Sequence, residues 1–131
     1  SPGGLLDVLT TRPADGTTIA ERIMALRSMG ASISGASAGA MVLCTQTATP
    51  DRSSVLAPGL DIVPGMAIPH WSPGSERRWS QPDTLLWGLP ECGGVLIDGD
   101  SMIGLGRGAA SVRVAGTWTA IDRRTPQPIP R

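Results

Sequence analysis

Hydrophobic positions along this 131-residue chain change period several times, and each change marks an element. From Thr18 onward, Ile19, Ile23 and Leu26 recur at helical spacing, with Glu21, Arg22 and Arg27 on the opposite side. Thr17 or Thr18 suits the N-cap of this helix and Gly30 its C-terminal stop. Before it, "SPGGLLDVL" opens with a turn signal at Pro2-Gly3-Gly4 and passes into a short apolar, helix-like run. The stretch from Arg12 to Gly16 reads as a loop. After the helix, "ASIS", centred on Ile33, predicts a short strand, and "AMVLC" (40–44) the start of a buried helix. "LDIVPGMAIPHW" reads as a broken strand that ends at His70.

The last third of the chain alternates differently. "GGVLIDGDSMIGLG" predicts a hairpin turning at Asp98-Gly99-Asp100, and "ASVRVAGTWTAI" a second one turning at Ala115-Gly116. "TPQPIPR" is proline-rich and needs no order. This organisation gives one domain over 1–124 and a tail over 125–131, without internal repeats.

Composition narrows the chemistry. The chain is 40% hydrophobic and 17% charged, enough to bury a core. Lys plus Arg and Asp plus Glu both number 11, and this zero balance argues against a nucleic-acid face or a polybasic membrane anchor. No apolar run approaches ~18 residues and no signal peptide is read, so a cytoplasmic protein is expected. Cys44 and Cys92 are widely spaced; reduced thiols are expected, with no metal and no cofactor. There is no Tyr or Phe, so any aromatic wall of a site comes from Trp71, Trp79, Trp87 or Trp118.

Chemistry enters at "ISGASAGAMVL" (33–43). Gly35-Ala36-Ser37-Ala38-Gly39 matches G-x-S-x-G and sits between a candidate strand and a candidate helix. In a turn that sharp, residues two before and two after the serine must be tiny. The turn lifts the hydroxyl above the strand ends and leaves the Ala38 N–H at a helix N-terminus, where it can stabilise an oxyanion. A small-residue packing loop would use the same composition. A serine nucleophile also needs a base, and His70 is the sole histidine. It follows Pro69 at the end of a predicted strand, where a sheet would deliver it to the edge that carries Ser37.

Taken together, "GASAGA" (35–40), "IPHW" (68–71) and the Gly3-Gly4 turn resemble the peptidase E and cyanophycinase family of serine peptidases, in the class I glutamine amidotransferase-like superfamily. "GLDIVPG" and "GGVLIDGDSMIGLGRGAASVRV" resemble the family's segments at corresponding places, so the likeness runs from Pro2 to about Val114. The resemblance implies an α/β fold with three layers and a mostly parallel sheet carrying a nucleophile elbow, with β-hairpins toward the C-terminus. It implies Ser37 as nucleophile, His70 as base, and Gly4 and Ala38 as oxyanion-hole donors. For the acid it implies Asp51, with Asp61 as the rival. Arg77, with Arg78 beside it, and Trp71, with Trp79, are the candidate substrate contacts; a solvated Arg pair and Trp packing are the bland readings.

Two departures from the family pattern shape the remaining expectations. Leu5 stands where an Asn usually follows the G-G turn, and the family's α/β region preceding that turn has no counterpart, which gives an N-terminally truncated fold. A homo-oligomer, most simply a dimer, is expected to cover the open side. The expected function is a serine hydrolase acting on a short peptide. Alternatives are a carboxylesterase using the same site on small esters, and an inactive fold remnant serving as a subunit or binding module.

Overall fold

The computed structural model describes residues 1–48, 56–78 and 85–131. It is a mixed α/β structure with three helices and nine strands among these residues. Helix α1 (Pro2–Thr10) begins at the proline expected to mark a turn. Proline's missing N–H and fixed φ suit a first helical turn, and Ser1 caps it. Helix α2 (Ile19–Ser28) starts as its sequence predicts. The Thr18 hydroxyl accepts from the Glu21 N–H, and the Glu21 carboxylate accepts in return from the Thr18 N–H. Gly30, at φ 94, follows its C-terminus.

The short helix α3 (Ala38–Leu43) buries Ala40, Met41 and Val42. It leads into β1 (Gln46–Ala48), paired antiparallel with β2 (Leu56–Pro58). The central sheet has the order β3-β4-β7-β8, formed by Met66–Pro69, Leu86–Leu89, Ser111–Val114 and Thr117–Ala120. A third sheet, β5-β6-β9, comprises Gly93–Asp98, Ser101–Gly106 and Gln127–Pro128.

Alternation along the central sheet sorts its core onto two faces. Ala67, Trp87 and Val112 are cross-strand partners and pack with Cys44, Met102, Ala110 and Ile121. Met66, Ile68 and Leu86 point the other way, toward Met41 and Ala48. The Trp87 indole N–H is satisfied by the Pro64 carbonyl at 2.7 Å. Gly88 leaves room for a tilted Trp71–Trp118 pair with ring centroids 4.7 Å apart; a Cβ there would come within 2.6 Å of Trp71.

Both hairpins turn where the sequence predicts. Asp98 pairs with Ser101 around Gly99, which has φ 57. Val114 pairs with Thr117 around Ala115 and Gly116, both at positive φ.

Three expectations are corrected. The sheets are not mostly parallel: among the described pairs, only β3–β4 and the isolated Cys44–Val63 bridge are parallel. Residues 31–36 form no ladder, because an extended segment becomes a strand only when another backbone pairs with it, and no described strand does. The tail is ordered: β9 pairs with β6 and the Ile129 N–H donates to the Asp100 carbonyl at 2.8 Å. A two-residue edge strand tolerates Pro128, which has no N–H to offer a ladder. Among the described residues, no helix is long and apolar enough to cross a membrane.

Candidate active site

The parallel β3–β4 pair builds one end of the site. Pro69 stands opposite Leu89, so both strands finish at the same edge, and the Trp71 N–H donates to the Leu89 carbonyl at 3.0 Å. His70 is the residue after β3 and Glu91 lies just past β4. His70 occupies the left-handed region at φ 53. Glu91 rides in a tight turn, closed by the Gly93 N–H donating to the Pro90 carbonyl at 3.1 Å, with Cys92 at φ 57.

Ser37 reaches this edge from the other side. It precedes α3 with φ 50 and ψ −120, a backbone conformation rare for a residue with a side chain. Gly35 explains how the turn closes: a Cβ there would lie 2.5 Å from the Gly39 carbonyl oxygen. The Ser37 hydroxyl lies 3.4 Å from His70 Nε2, and His70 Nδ1 lies 2.5 Å from Glu91 Oε1. If Nδ1–H donates to the carboxylate, Nε2 is left as an acceptor facing the serine. The Ala38 N–H, at the first residue of α3, lies outside the helix's own ladder. Ser37, Ala38, Met41, Pro69, His70 and Arg78 line an open cleft.

Residues 9–112 match the model of peptidase family S51. The chain belongs to that family. Its structure is similar to the crystal structure of a peptidase from an acI-B1 Actinobacterium, with a TM-score of 0.53 at 22% identity. The match covers 71% of this chain and 43% of that one, so the chain spans less than half the length of that structure. No curated protein matches the chain.

Within this S51 chain, the structure assembles some of the expected site residues and separates others. Ser37, His70 and Ala38 come together. The Gly4 N–H lies inside the first turn of α1 and donates to the Ser1 hydroxyl at 3.3 Å, and Gly4 does not line the cleft. Arg77 also stays out of the lining; its neighbour Arg78, from the 3-10 turn Ser75–Arg78, enters it. Trp71 is half-buried against Trp118 rather than walling the cleft. Glu76, beside that pair, is partly desolvated. The N–H groups of Glu76 and Gly74 and the indoles of Trp118 and Trp71 outweigh the desolvation and hold its carboxyl below the usual range.

Asp51 and Trp79 lie outside the described residues. Asp61 sits at φ 55 and accepts from the Thr45 hydroxyl at 2.6 Å, a local loop contact. The carboxylate on His70 is Glu91, which the sequence reading missed. Its signal was the apolar run "LLWGL" (85–89), unrecognised as a strand, ending in Pro-Glu-Cys-Gly-Gly. Two adjacent parallel strands bring the residues after their C-terminal ends to one edge. Cys44, by contrast, is a packed thiol with no part in the site. Burial pushes it up to about 12.

Proposed function

We propose that this chain is a serine hydrolase of the peptidase type, cleaving a short peptide through an acyl-enzyme, with Ser37, His70 and Glu91 as its triad. The observation that carries this reading is the continuous line from the Ser37 hydroxyl through both imidazole nitrogens to the Glu91 carboxylate. Ser37 then occupies a nucleophile elbow: positive φ, tiny neighbours and a following helix are the marks of that turn.

In the acylation step, Ser37 Oγ attacks the peptide carbonyl carbon while its proton passes to His70 Nε2. Glu91 holds the ring by its Nδ1–H and stabilises the imidazolium. The Ala38 N–H faces the developing oxyanion. Collapse of the tetrahedral intermediate breaks the C–N bond, and His70 returns the proton to the leaving amine. Water then repeats the sequence on the ester and frees Ser37. Glu91 thus takes the role the family likeness suggested for Asp51. The Ser37–His70 separation of 3.4 Å is long for a hydrogen bond, as resting sites often are before substrate tightens them.

Labelling with a fluorophosphonate, located by mass spectrometry, tests this reading. A single adduct on Ser37, absent in His70→Ala, is the expected outcome. A folded chain that takes no label while cleaving no peptide or activated ester would overturn the hydrolase reading.

A further inference from the structure

The closest backbone approaches near the Ser37–His70–Glu91 line surround the turn that carries Glu91. The Glu91 side chain is 79% exposed, so packing does not fix its carboxylate. Its position is inherited from the backbone beneath it. That backbone is held by the segment following β6: the N–H groups of Arg107 and Gly108 both donate to the Cys92 carbonyl, at 2.9 and 3.1 Å. The contact is too close for side chains. A Cβ on Gly108 would lie 2.4 Å from the Glu91 carbonyl oxygen and 3.0 Å from Pro90 Cγ. A Cβ on Gly93 would lie 2.5 Å from the Gly108 carbonyl oxygen. Behind this segment, Arg123 Nη1 donates to the carbonyls of Gly106 and Arg107, at 3.1 Å each.

Resting on the assignment of Glu91 to the triad, we propose that Gly108 is a positioning residue for His70, acting through the Glu91 turn, and that Arg123 braces it. Gly108 does not have the positive φ that would strain an alanine, so the effect of a methyl group there is its collision with Glu91. Reaching van der Waals contact from 2.4 Å requires a shift of about 1 Å. A displacement of that size at a catalytic constellation costs on the order of 10²-fold in rate.

The test uses two readouts on the whole chain. Because the chain has one histidine, its ring 15N shifts are unambiguous. Gly108→Ala is expected to slow fluorophosphonate labelling of Ser37 about 10²-fold and to move the His70 ring 15N shifts in the direction that Glu91→Gln moves them. Gly94→Ala is the control. It lies on β5 next to the same turn, its added Cβ meets nothing within 4 Å, and it should change neither readout. The ring shifts do not need a reactive serine. If wild-type Ser37 takes no label, the hydrolase reading fails and the shifts still decide the positioning role. Should Gly108→Ala not fold, Arg123→Met, which keeps most of the stem and loses the donor, is expected to move the same shifts by less, and Arg123→Lys, which keeps a donor, to restore them. A folded Gly108→Ala with wild-type labelling and unmoved ring shifts overturns the proposal. So does Arg123→Met with unmoved shifts where Gly108→Ala is unfolded.

Discussion

The strand-built end of the molecule and its α1–α2 end treat similar side chains in opposite ways. Met66, Ile68, Leu86 and Trp87 are at most 2% exposed, packed on both faces of the central sheet. On α2 no residue is buried; Ile19 and Leu26 stay about half exposed, and Met29, just past its end, is 77% exposed. Yet α2 is the better-formed element by local criteria, with a reciprocal cap and an Arg12–Glu21 ion pair. Rigidity therefore comes from burial rather than from local helix signals. Caps and exposed ion pairs decide where a helix begins but contribute little to holding it in place. Cross-strand burial fixes positions. His70 and Glu91 both emerge from the buried strands, and only Ser37 reaches the site from the less packed side, through residues 31–36 and a strained turn.

That contrast is open to direct measurement. The largest effect is expected at the junction. Ser37→Ala should lower hydrolysis and labelling on the order of 10³-fold or more without changing the melting temperature. A melting shift as large as that of a core mutant would mean the strained turn is structural rather than catalytic.

Next, Glu91→Gln should cost on the order of 10²-fold or more in kcat with little change in KM, because the amide no longer sets the imidazole tautomer. Asp61→Asn and Asp51→Asn should each be far milder. Steady-state kinetics on the three variants rank them directly. A crippling Asp51→Asn beside a mild Glu91→Gln would move the acid away from the β4 end.

Within the packed end, Trp87→Ala is expected to lose about 3–5 kcal/mol and Ile68→Ala about 2–5 kcal/mol in urea unfolding. Leu26→Ala on α2 should fall within about 0.5 kcal/mol of wild type. Equal losses at Ile68 and Leu26 would abolish the contrast between the two ends.

Burial separates the thiols. Burial raises Cys44 from 9.0 to about 12, so the folded chain keeps a proton that the unfolded chain releases. Its contribution to stability is therefore full below pH 9, declines as pH rises, and is lost by about 12. At neutral pH, a thiol reagent should titrate exposed Cys92 in the native protein and both cysteines only after unfolding. Rapid native modification of Cys44 would show that the packed end opens.

The smallest effect belongs to Glu21. Its hydrogen bond to Arg12 and the Thr18 N–H lower its carboxyl, so it stabilises α2 above its ordinary range and loses that contribution as pH falls through the lowered value. Glu21→Gln should produce a small loss in a thermal melt at neutral pH that disappears in acid.

Much of the local detail was legible in the chain itself. The α2 cap, both hairpin turns, the small residues around Ser37 and the placement of His70 at a strand end follow from neighbours within a few positions. Steric limits on φ, capping geometry and the two-residue side-chain period act over that range. The family likeness was legible too, since its motifs are short and contiguous.

What tertiary structure decided was everything that depends on which strands lie side by side. "ASIS" is apolar enough for a strand, but no described backbone pairs with it. Pro128 looks like a tail residue until β6 offers it an edge. Glu91 is an ordinary surface glutamate in the sequence, twenty-one positions from His70. The register of Pro69 with Leu89 is what brings the two together. Strand pairing joins distant segments through backbone hydrogen bonds that carry no side-chain signature, so the partner of His70 was fixed by the sheet and not by any motif.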